Sequence, residues 1–357
     1  MSHSQEGSED KKIIVYTESD GSRYEVEYPA TSKIDVRNIA DALELPAYLD
    51  TNSPMVSTAV VALWVSYSAD GILALHKEMG RFKEPPSPLL MGGLAVKMLS
   101  RTANEKGPMN RNVKDIDYVV RRSQGGNFVK LLSILSNIAG TRFFHFLTSS
   151  DMRFNALRAG ERYRIRTIDW SSSDRPEVRW VDILIDRIEM RHKVDVRDEF
   201  DRAKKNLYTI GVEKLLLTKC QMIQDIEQTE YVAIQESGQE FRILRYPFYK
   251  TGRYLIGMEE KDMMDAAALL CDHAGNSEVI ASHLSDLLRK DDKLLQTFRL
   301  NLENIESRKD WLRGKGISEV QLSRIDESIG NILKKLPEKR RWDKPWWNRD
   351  VDTPVIN

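Results

Sequence analysis

The chain has 357 residues, of which 41% are hydrophobic and 30% charged, and its 54 basic side chains balance its 54 acidic ones. The length favours two domains over one, and the composition is that of a folded globular protein. A net charge of zero excludes a global field that would attract nucleic acid or a membrane, so either partner would have to meet a local patch.

Two classes of stabilising site are excluded by the cysteines and histidines. Cys220 and Cys271 are too few for a disulfide framework or a cysteine zinc site, and the six histidines lack metal-ligand spacing. The segment Met1 to Lys12 shows no signal-peptide pattern, and Met55 to Leu75 is interrupted by polar residues and predicts a buried helix. We therefore expect a cytoplasmic protein with no membrane partner.

The first part of the chain predicts a hairpin followed by two helices. Two β-favouring runs, Lys12 to Tyr16 and Arg23 to Tyr28, flank a turn containing Asp-Gly and predict antiparallel strands. Apolar residues at helical spacing then predict helices from Val36 to about Leu49 and from Ser57 to about Met79.

The middle of the chain alternates strands with helices. In chain order, the predicted elements are an extended run at Leu89 to Met91, a short helix at Leu94 to Leu99, a strand at Asp115 to Val120, a helix at Phe128 to Ile138, a strand at Arg142 to Leu147, and an antiparallel hairpin of Tyr163 to Trp170 with Val178 to Ile185.

From Gly211 onward the patterns become mostly helical, with one β excursion at Tyr231 to Leu244. The predicted helices are Val212 to Ile226, Lys261 to His273, Ser277 to Leu288, Asp292 to Leu312 and Ser318 to Leu336. Together the patterns predict an α+β fold, with a mixed sheet and flanking helices followed by a mostly helical C-terminal domain.

Three aspartates form the most informative pattern. Asp115 and Asp117 are two residues apart on a predicted strand, so their side chains leave the same face. Carboxylates that close repel each other unless a proton or a cation lies between them, and Mg²⁺ or Mn²⁺ favours such oxygen ligands. Asp182 lies in an otherwise apolar strand, where a charge is costly unless it is paired or metal-bound. The three carboxylates predict a two-metal site for phosphoryl transfer.

A pair of glycines, Gly92 and Gly93, ends the extended run upstream of these aspartates. Glycines at such a turn let phosphates approach backbone amides closely, although a Gly-Gly pair also serves as a simple turn. An Asp-x-Asp alone is common without a metal. The ordered combination of Gly-Gly, Asp-x-Asp and a later Asp favours the metal site.

Three segments carry a family resemblance: Leu90 to Ala95 (LMGGLA), Lys114 to Val119 (KDIDYV) and Val181 to Leu184 (VDIL). They resemble the nucleotidyltransferase superfamily of the DNA polymerase β type, most of all the AbiEii-type abortive-infection toxins, in which a helical half follows the catalytic half. The resemblance implies Mg²⁺ or Mn²⁺ and an NTP as the donor. It also implies an RNA, such as a tRNA, or a protein as the acceptor, and a cognate antitoxin as partner.

Two later patterns extend the resemblance. A Leu-x-x-x-Lys pattern ends at Lys219, and a Lys-Asp-x-x-Asp pattern contains Asp262 and Asp265. The family implies that Lys219 contacts the nucleotide phosphates and that the two aspartates support it. The alternatives are a solvated helix lysine beside an exposed charge pair, or Lys214 in place of Lys219.

The chain departs from the family pattern between Gly93 and Asp115, where a polar loop over Thr102 to Val113 lengthens the usual interval. Arg111 and Lys114 in this region either assist with phosphates or are solvated. The basic tail contains Trp342, Trp346 and Trp347 and is expected to pack on the helical half, the alternative being stacking of nucleic-acid bases.

The resemblance divides the chain as follows: residues 1–11, a disordered start; 12–82, a hairpin and helices packing on the catalytic domain; 83–210, the nucleotidyltransferase catalytic domain; 211–336, the mostly helical domain; and 337–357, the tail. Two other functions share parts of the pattern. A catalytically silent binding module would keep the fold, and a two-metal nuclease would share the carboxylates but give no reason for the paired glycines or Lys219.

Overall fold

The computed structural model describes residues 11–17, 21–29, 34–80, 85–139, 144–169, 177–189, 192–221, 231–236, 239–244 and 258–338. These residues form a mixed α+β structure, which confirms the predicted class. The predicted disordered start and the tryptophans of the tail lie outside the described residues.

The described strands are β1 (Lys11–Thr17), β2 (Arg23–Pro29), β3 (Leu89–Met91), β4 (Ile116–Val120), β5 (Phe144–Phe146), β6 (Arg162–Asp169), β7 (Glu177–Ile185), β8 (Arg187–Glu189), β9 (Lys193–Asp195), β10 (Tyr231–Glu236) and β11 (Gln239–Leu244).

The described α-helices are α1 (Val36–Ala42), α2 (Pro54–Tyr67), α3 (Ala69–Met79), α4 (Gly92–Leu99), α5 (Gly125–Ala139), α6 (Ser149–Leu157), α7 (Val212–Lys219), α8 (Glu260–Asp272), α9 (Ser277–Leu288), α10 (Asp292–Ser307), α11 (Lys309–Gly314) and α12 (Glu319–Lys335). Short 3₁₀ helices occur at Arg122–Gln124, Arg197–Lys205 and Ala274–Asn276.

The chain divides into two compact units that are interleaved along the sequence. Unit 1 comprises residues 1–98, 112–188 and 195–210, and it contains the N-terminal hairpin and the main sheet. Unit 2 comprises residues 99–111, 189–194 and 211–357, and most of its described residues are helical.

The main sheet of unit 1 has five strands in the order β3-β4-β7-β6-β5. Only the β4–β7 pair is parallel, and the other neighbours are antiparallel. Side chains alternate between the two faces of a strand. On β4, Ile116 and Tyr118 are fully buried on one face, where the rings of Tyr118 and of Phe128 from α5 pack in a T-shaped arrangement with their centroids 4.9 Å apart. Asp117 therefore projects from the opposite face.

The two predicted β hairpins are present in the structure, and the predicted β excursion at Tyr231 to Leu244 forms a third. Strands β1 and β2, β6 and β7, and β10 and β11 form antiparallel pairs. The predicted strands at Leu89 and Phe144 and most C-terminal helices also appear, within a few residues of their expected ends. Period-two and helical apolar spacing were sufficient for these elements.

The predicted helix from Ser57 to Met79 is wrong, because α2 and α3 are separate helices bent by 87°. The Ser68 hydroxyl caps α3 by accepting a hydrogen bond from the Gly71 backbone N–H at 3.0 Å. A Cβ on Gly71 would lie only 2.2 Å from the Trp64 carbonyl oxygen, so the close approach of the two helices requires glycine. No single described helix meets the length and apolarity needed to span a bilayer; the bent pair α2–α3 does so only when its two halves are taken together.

Other differences have equally local causes. The first helix ends at Ala42 rather than near Leu49, and Pro46, which has no backbone N–H to donate, lies in the missing part. The predicted helix from Asp292 to Leu312 is interrupted at Arg308, which ends α10 and precedes α11. Helix α6 was not predicted from its short, weakly periodic sequence, and a capping box of Thr148 with Asp151 starts it.

Candidate functional site

Two of the three predicted aspartates are direct neighbours in the sheet of unit 1. Asp117 on β4 and Asp182 on β7 are Cα partners across the parallel pair. Neighbouring strands lie about 4.8 Å apart, and partners in register share a face, so both carboxylates leave the same side of the sheet. Both residues are partly buried. We call this pair of carboxylates on two neighbouring strands the acidic centre.

Gly92 lies against this centre. It has φ of +66°, a left-handed conformation that favours glycine, and it begins α4 directly after β3. A Cβ at this position would lie 2.1 Å from Oδ2 of Asp117. Gly92 and Gly93 are both buried. The carboxylate of Asp117 therefore occupies the space that any other residue at position 92 would fill.

Asp115, the third predicted aspartate, is exposed and precedes β4, which begins at Ile116 rather than at Asp115 as expected. Within the described residues, no group of three or more His, Cys, Asp or Glu side chains is positioned to hold a metal ion. Of the three predicted aspartates, the structure therefore brings Asp117 and Asp182 together on neighbouring strands.

Two arginines of β6 donate hydrogen bonds to the carboxylate of Asp182. Arg162 donates from Nη2 to Oδ2 at 2.6 Å and from Nε to Oδ1 at 3.3 Å. Arg164, the direct strand partner of Asp182, donates from Nε to Oδ1 at 2.9 Å. Charge-assisted hydrogen bonds of this kind are about twice as strong as neutral ones.

These arginines belong to a row on one face of β6 that the sequence analysis missed. Arg162, Arg164 and Arg166 alternate with Tyr163 and Ile165, so the three guanidinium groups share a face. The alternation of arginine with apolar residues was the signal that could have revealed them.

The row is braced by aromatic rings and by a second carboxylate. The Arg164 guanidinium lies between the rings of Phe154 and Trp180, at 5.1 and 4.7 Å. Arg166 is buried, lies 4.4 Å from the Trp180 ring, and pairs with the buried Asp151 at 2.7 Å. Cation–π contacts and a buried ion pair therefore fix the inner two arginines.

The predicted phosphate-binding residues outside the glycines lie in unit 2. Lys219, the last residue of α7, is buried, and its ammonium donates to Asp262 at 2.9 Å and to Asp265 at 2.8 Å, both on α8. Asp265 also accepts a two-pronged interaction from Arg111, with Nε–Oδ1 at 2.7 Å and Nη2–Oδ2 at 2.6 Å. These four residues, three of them buried and Arg111 partly exposed, form what we call the buried quartet.

The charges of the buried quartet reinforce one another. Burial by itself would lower the pKa of Lys219, but the carboxylates of Asp262 and Asp265 outweigh it and raise that pKa. Burial opposes the ionised form of Asp265, yet the Arg111 and Lys219 partners hold its pKa below the ordinary value. Lys219 and Asp265 therefore stay charged near neutral pH.

The other residues singled out in the sequence differ in their burial and in their partners. Arg111 is an ion-pair partner in the buried quartet rather than a solvated loop residue, whereas Lys114 is exposed. Lys214, the competitor of Lys219, is buried on α7. Cys220 and Cys271 are buried, and burial raises the pKa of both thiols, as expected of core thiols.

No protein-family model matches the chain, and no curated protein matches it either.

Proposed function

We propose that the chain is a metal-dependent nucleotidyltransferase that moves a nucleoside monophosphate from an NTP to a hydroxyl acceptor. The observation that carries the proposal is the in-register pairing of Asp117 with Asp182, with Gly92 packed against the Asp117 carboxylate. The mixed five-stranded sheet is compatible with a nucleotidyltransferase-type fold. The order of glycines, Asp-x-Asp and later Asp supports the resemblance to AbiEii-type toxins.

The residues of this centre fit a hard divalent cation. Mg²⁺ is usually held by one or two carboxylates, with substrate phosphates and water completing its shell, so a cage of three acidic side chains is not needed. Asp117 and Asp182 would hold the cation, and the exposed Asp115 would join them. Such a cation would neutralise charge on the transferred phosphoryl group and lower the pKa of the acceptor hydroxyl.

The other residues of unit 1 would bind and orient the substrate. Gly92 and Gly93 open α4, where backbone N–H groups favour phosphate. Arg162 and Arg164 supply cations on the same face as the carboxylates. A phosphate contact by Lys219 stays a prediction, and it would require the ammonium to leave at least one of its two carboxylates.

The test uses each of the four NTPs, labelled at the α-phosphate, with Mg²⁺ or Mn²⁺ and either total RNA or a protein extract. We expect label on an RNA or protein acceptor with the wild-type chain and none with Asp117→Asn. The matched control is Asp41→Asn, an exposed aspartate of unit 1 that pairs only with Arg37 among its described contacts. Absence of transfer from every NTP, or equal transfer by Asp117→Asn, would refute the proposal.

A second candidate function is a catalytically silent nucleotide-binding module. It is favoured by the two arginines that already occupy both oxygens of Asp182. A silent module would bind an NTP in calorimetry with an affinity that Asp117→Asn leaves unchanged, and it would transfer no label. In the toxin-like case, a cognate antitoxin protein would suppress the transfer.

A further inference from the structure

We propose that Arg162 and Arg164 form an ionic latch on Asp182, and that a phosphate-bearing ligand opens this latch by drawing the guanidinium groups to itself. The inference rests on the proposed function, since it concerns the same carboxylate. It adds a control step in which anion and cation binding at the site depend on each other.

Both oxygens of Asp182 already accept charged N–H donors, at 2.6 Å from Arg162 and 2.9 Å from Arg164. A divalent cation on the same oxygens would bring at least three positive groups to a single carboxylate. Like charges at such distances repel strongly in a partly buried site, so cation and guanidinium groups compete for Asp182.

The two guanidinium groups share the one carboxylate of Asp182. Phosphate oxygens match the guanidinium fork as well as a carboxylate does. A polyphosphate ligand therefore offers the arginines a second set of acceptors.

Of the two arginines, Arg162 is the one that is free to move. The Arg164 guanidinium lies 5.1 Å from the Phe154 ring and 4.7 Å from the Trp180 ring, whereas the Arg162 side chain is 40% exposed. Within the described part of the chain, Arg162 can swing away from Asp182 without breaking a ring contact. We therefore assign Arg162 as the releasing arm and Arg164 as the fixed one.

The latch makes binding of cation and anion mutually supportive. When a phosphate ligand takes Arg162, Asp182 gains capacity for a cation, and by linkage a bound cation must improve the affinity for phosphate by the same factor. The ligand class is a phosphate anion. It can come from the triphosphate of the donor nucleotide or from the backbone of a nucleic-acid acceptor.

The first experiment measures Mn²⁺ binding to the full chain from the electron paramagnetic resonance signal of free Mn²⁺, with no nucleotide present. Because Arg162→Gln removes one partly exposed ion pair, we expect it to bind Mn²⁺ roughly fivefold more tightly than the wild type. Adding Asp182→Asn to that variant should cancel the gain. Arg158→Gln, which removes an exposed arginine paired with Glu161, is the matched control and should equal the wild type.

The second experiment measures anion binding by calorimetry in EDTA, so that no metal contributes. Inorganic tripolyphosphate and a short single-stranded oligoribonucleotide are titrated separately. Arg162→Gln should weaken one or both, and the anion that is weakened identifies the source of the phosphate. Arg162→Lys, which keeps the charge and loses the fork, should retain part of the affinity for that anion.

The outcomes separate the latch from the proposed function. If Arg162→Gln matches Arg158→Gln in Mn²⁺ affinity, or binds both anions as well as the wild type does, the latch is refuted even if label transfer is intact. If label transfer fails while Arg162→Gln gains Mn²⁺ affinity and loses anion affinity, the latch stands and the catalytic proposal falls.

Discussion

Asp182 in unit 1 and Asp265 in unit 2 each share one carboxylate between two cations, yet their surroundings differ. The Asp265 side chain is 3% exposed, and with Asp262, Arg111 and Lys219 it completes a set of two positive and two negative charges. The Asp182 side chain is 13% exposed, and it pairs with two arginines that are 40% and 29% exposed.

The same kinds of side chain can therefore play different roles in the two units. In unit 2 the lysine and both carboxylates are buried and their charges are paired, so losing one of them leaves a charge without a partner away from water. In unit 1 the arginines are partly exposed and can exchange partners at a smaller cost, because water reaches them. We therefore expect the buried quartet to stabilise unit 2, and we propose that the Asp182 cluster binds the ligand.

The largest expected effect is on the buried quartet. Asp265→Asn leaves Arg111 and Lys219 short of a counter-charge, and breaking a buried ion pair in this way costs about 3–5 kcal/mol of the free energy of unfolding. Urea denaturation measures this loss in the free energy of unfolding. The control is Asp286→Asn, at an exposed position on α9 of the same unit, which should denature like the wild type. Equal stability of the two variants would show that the quartet is not a structural cluster.

For Asp182→Asn we expect a large loss of activity and only a small loss of stability. Because the carboxylate would hold the cation, NMP transfer should fall at least about a hundredfold, equivalent to roughly 2.7 kcal/mol of barrier. The free energy of unfolding should change by only about 1 kcal/mol, since water can solvate the released arginines. Labelled-NTP transfer and urea denaturation of the same preparation check both halves. If Asp182→Asn is strongly destabilised but its folded fraction keeps the wild-type transfer rate, Asp182 stabilises unit 1 and does not serve in transfer.

A third prediction concerns a buried histidine. His145 on β5 is buried, neither ring nitrogen has a hydrogen-bond partner among the described residues, and burial lowers its pKa from 6.5 to about 3. Between these two values the unfolded chain binds a proton that the folded chain does not. Stability should therefore fall as the pH drops below 6.5, by about 1.4 kcal/mol per pH unit at most, and level off near pH 3.

Denaturation of wild type and His145→Leu at a series of pH values measures this slope. The variant should lose this pH dependence, because the leucine side chain has no group that binds a proton. His283→Leu, at an exposed position paired with Glu213, should keep it. A slope that survives in His145→Leu would assign the pH dependence to other groups.

The smallest expected effect is at Gly92. Gly92→Ala places a Cβ in a left-handed conformation, which costs about 1–2 kcal/mol, and it pushes on the Asp117 carboxylate. Mn²⁺ affinity should fall together with stability. Gly126→Ala is the matched control, because its Cβ would meet no atom within 4 Å in helix α5, where alanine is favoured. If the Gly126 variant loses as much Mn²⁺ affinity, the contact of Gly92 with Asp117 is not the cause.

Much of unit 1 was predictable from local patterns. Period-two alternation predicted the hairpins, and an isolated charge among apolar residues marked Asp182. The arginines on Asp182 escaped notice because their pairing depends on the register that sets Arg164 opposite Asp182, which no local pattern fixes. The break at Ser68 depends on close packing of α2 with α3, and the Arg111–Asp265 pair joins residues 154 apart in sequence.

The segment over residues 99–111 has a consequence for the order in which the chain is made. Ser100 donates to Asp272 and Arg111 to Asp265, across 172 and 154 residues, so its partners on α8 are synthesised long after it. During that interval its apolar residues, such as Ala103 and Met109, lack the helices that unit 2 later provides. Cleavage of the polypeptide after Ile210 would leave residues 99–111 on the N-terminal fragment, without those helices. The two units are therefore not separable by any single cleavage of the polypeptide.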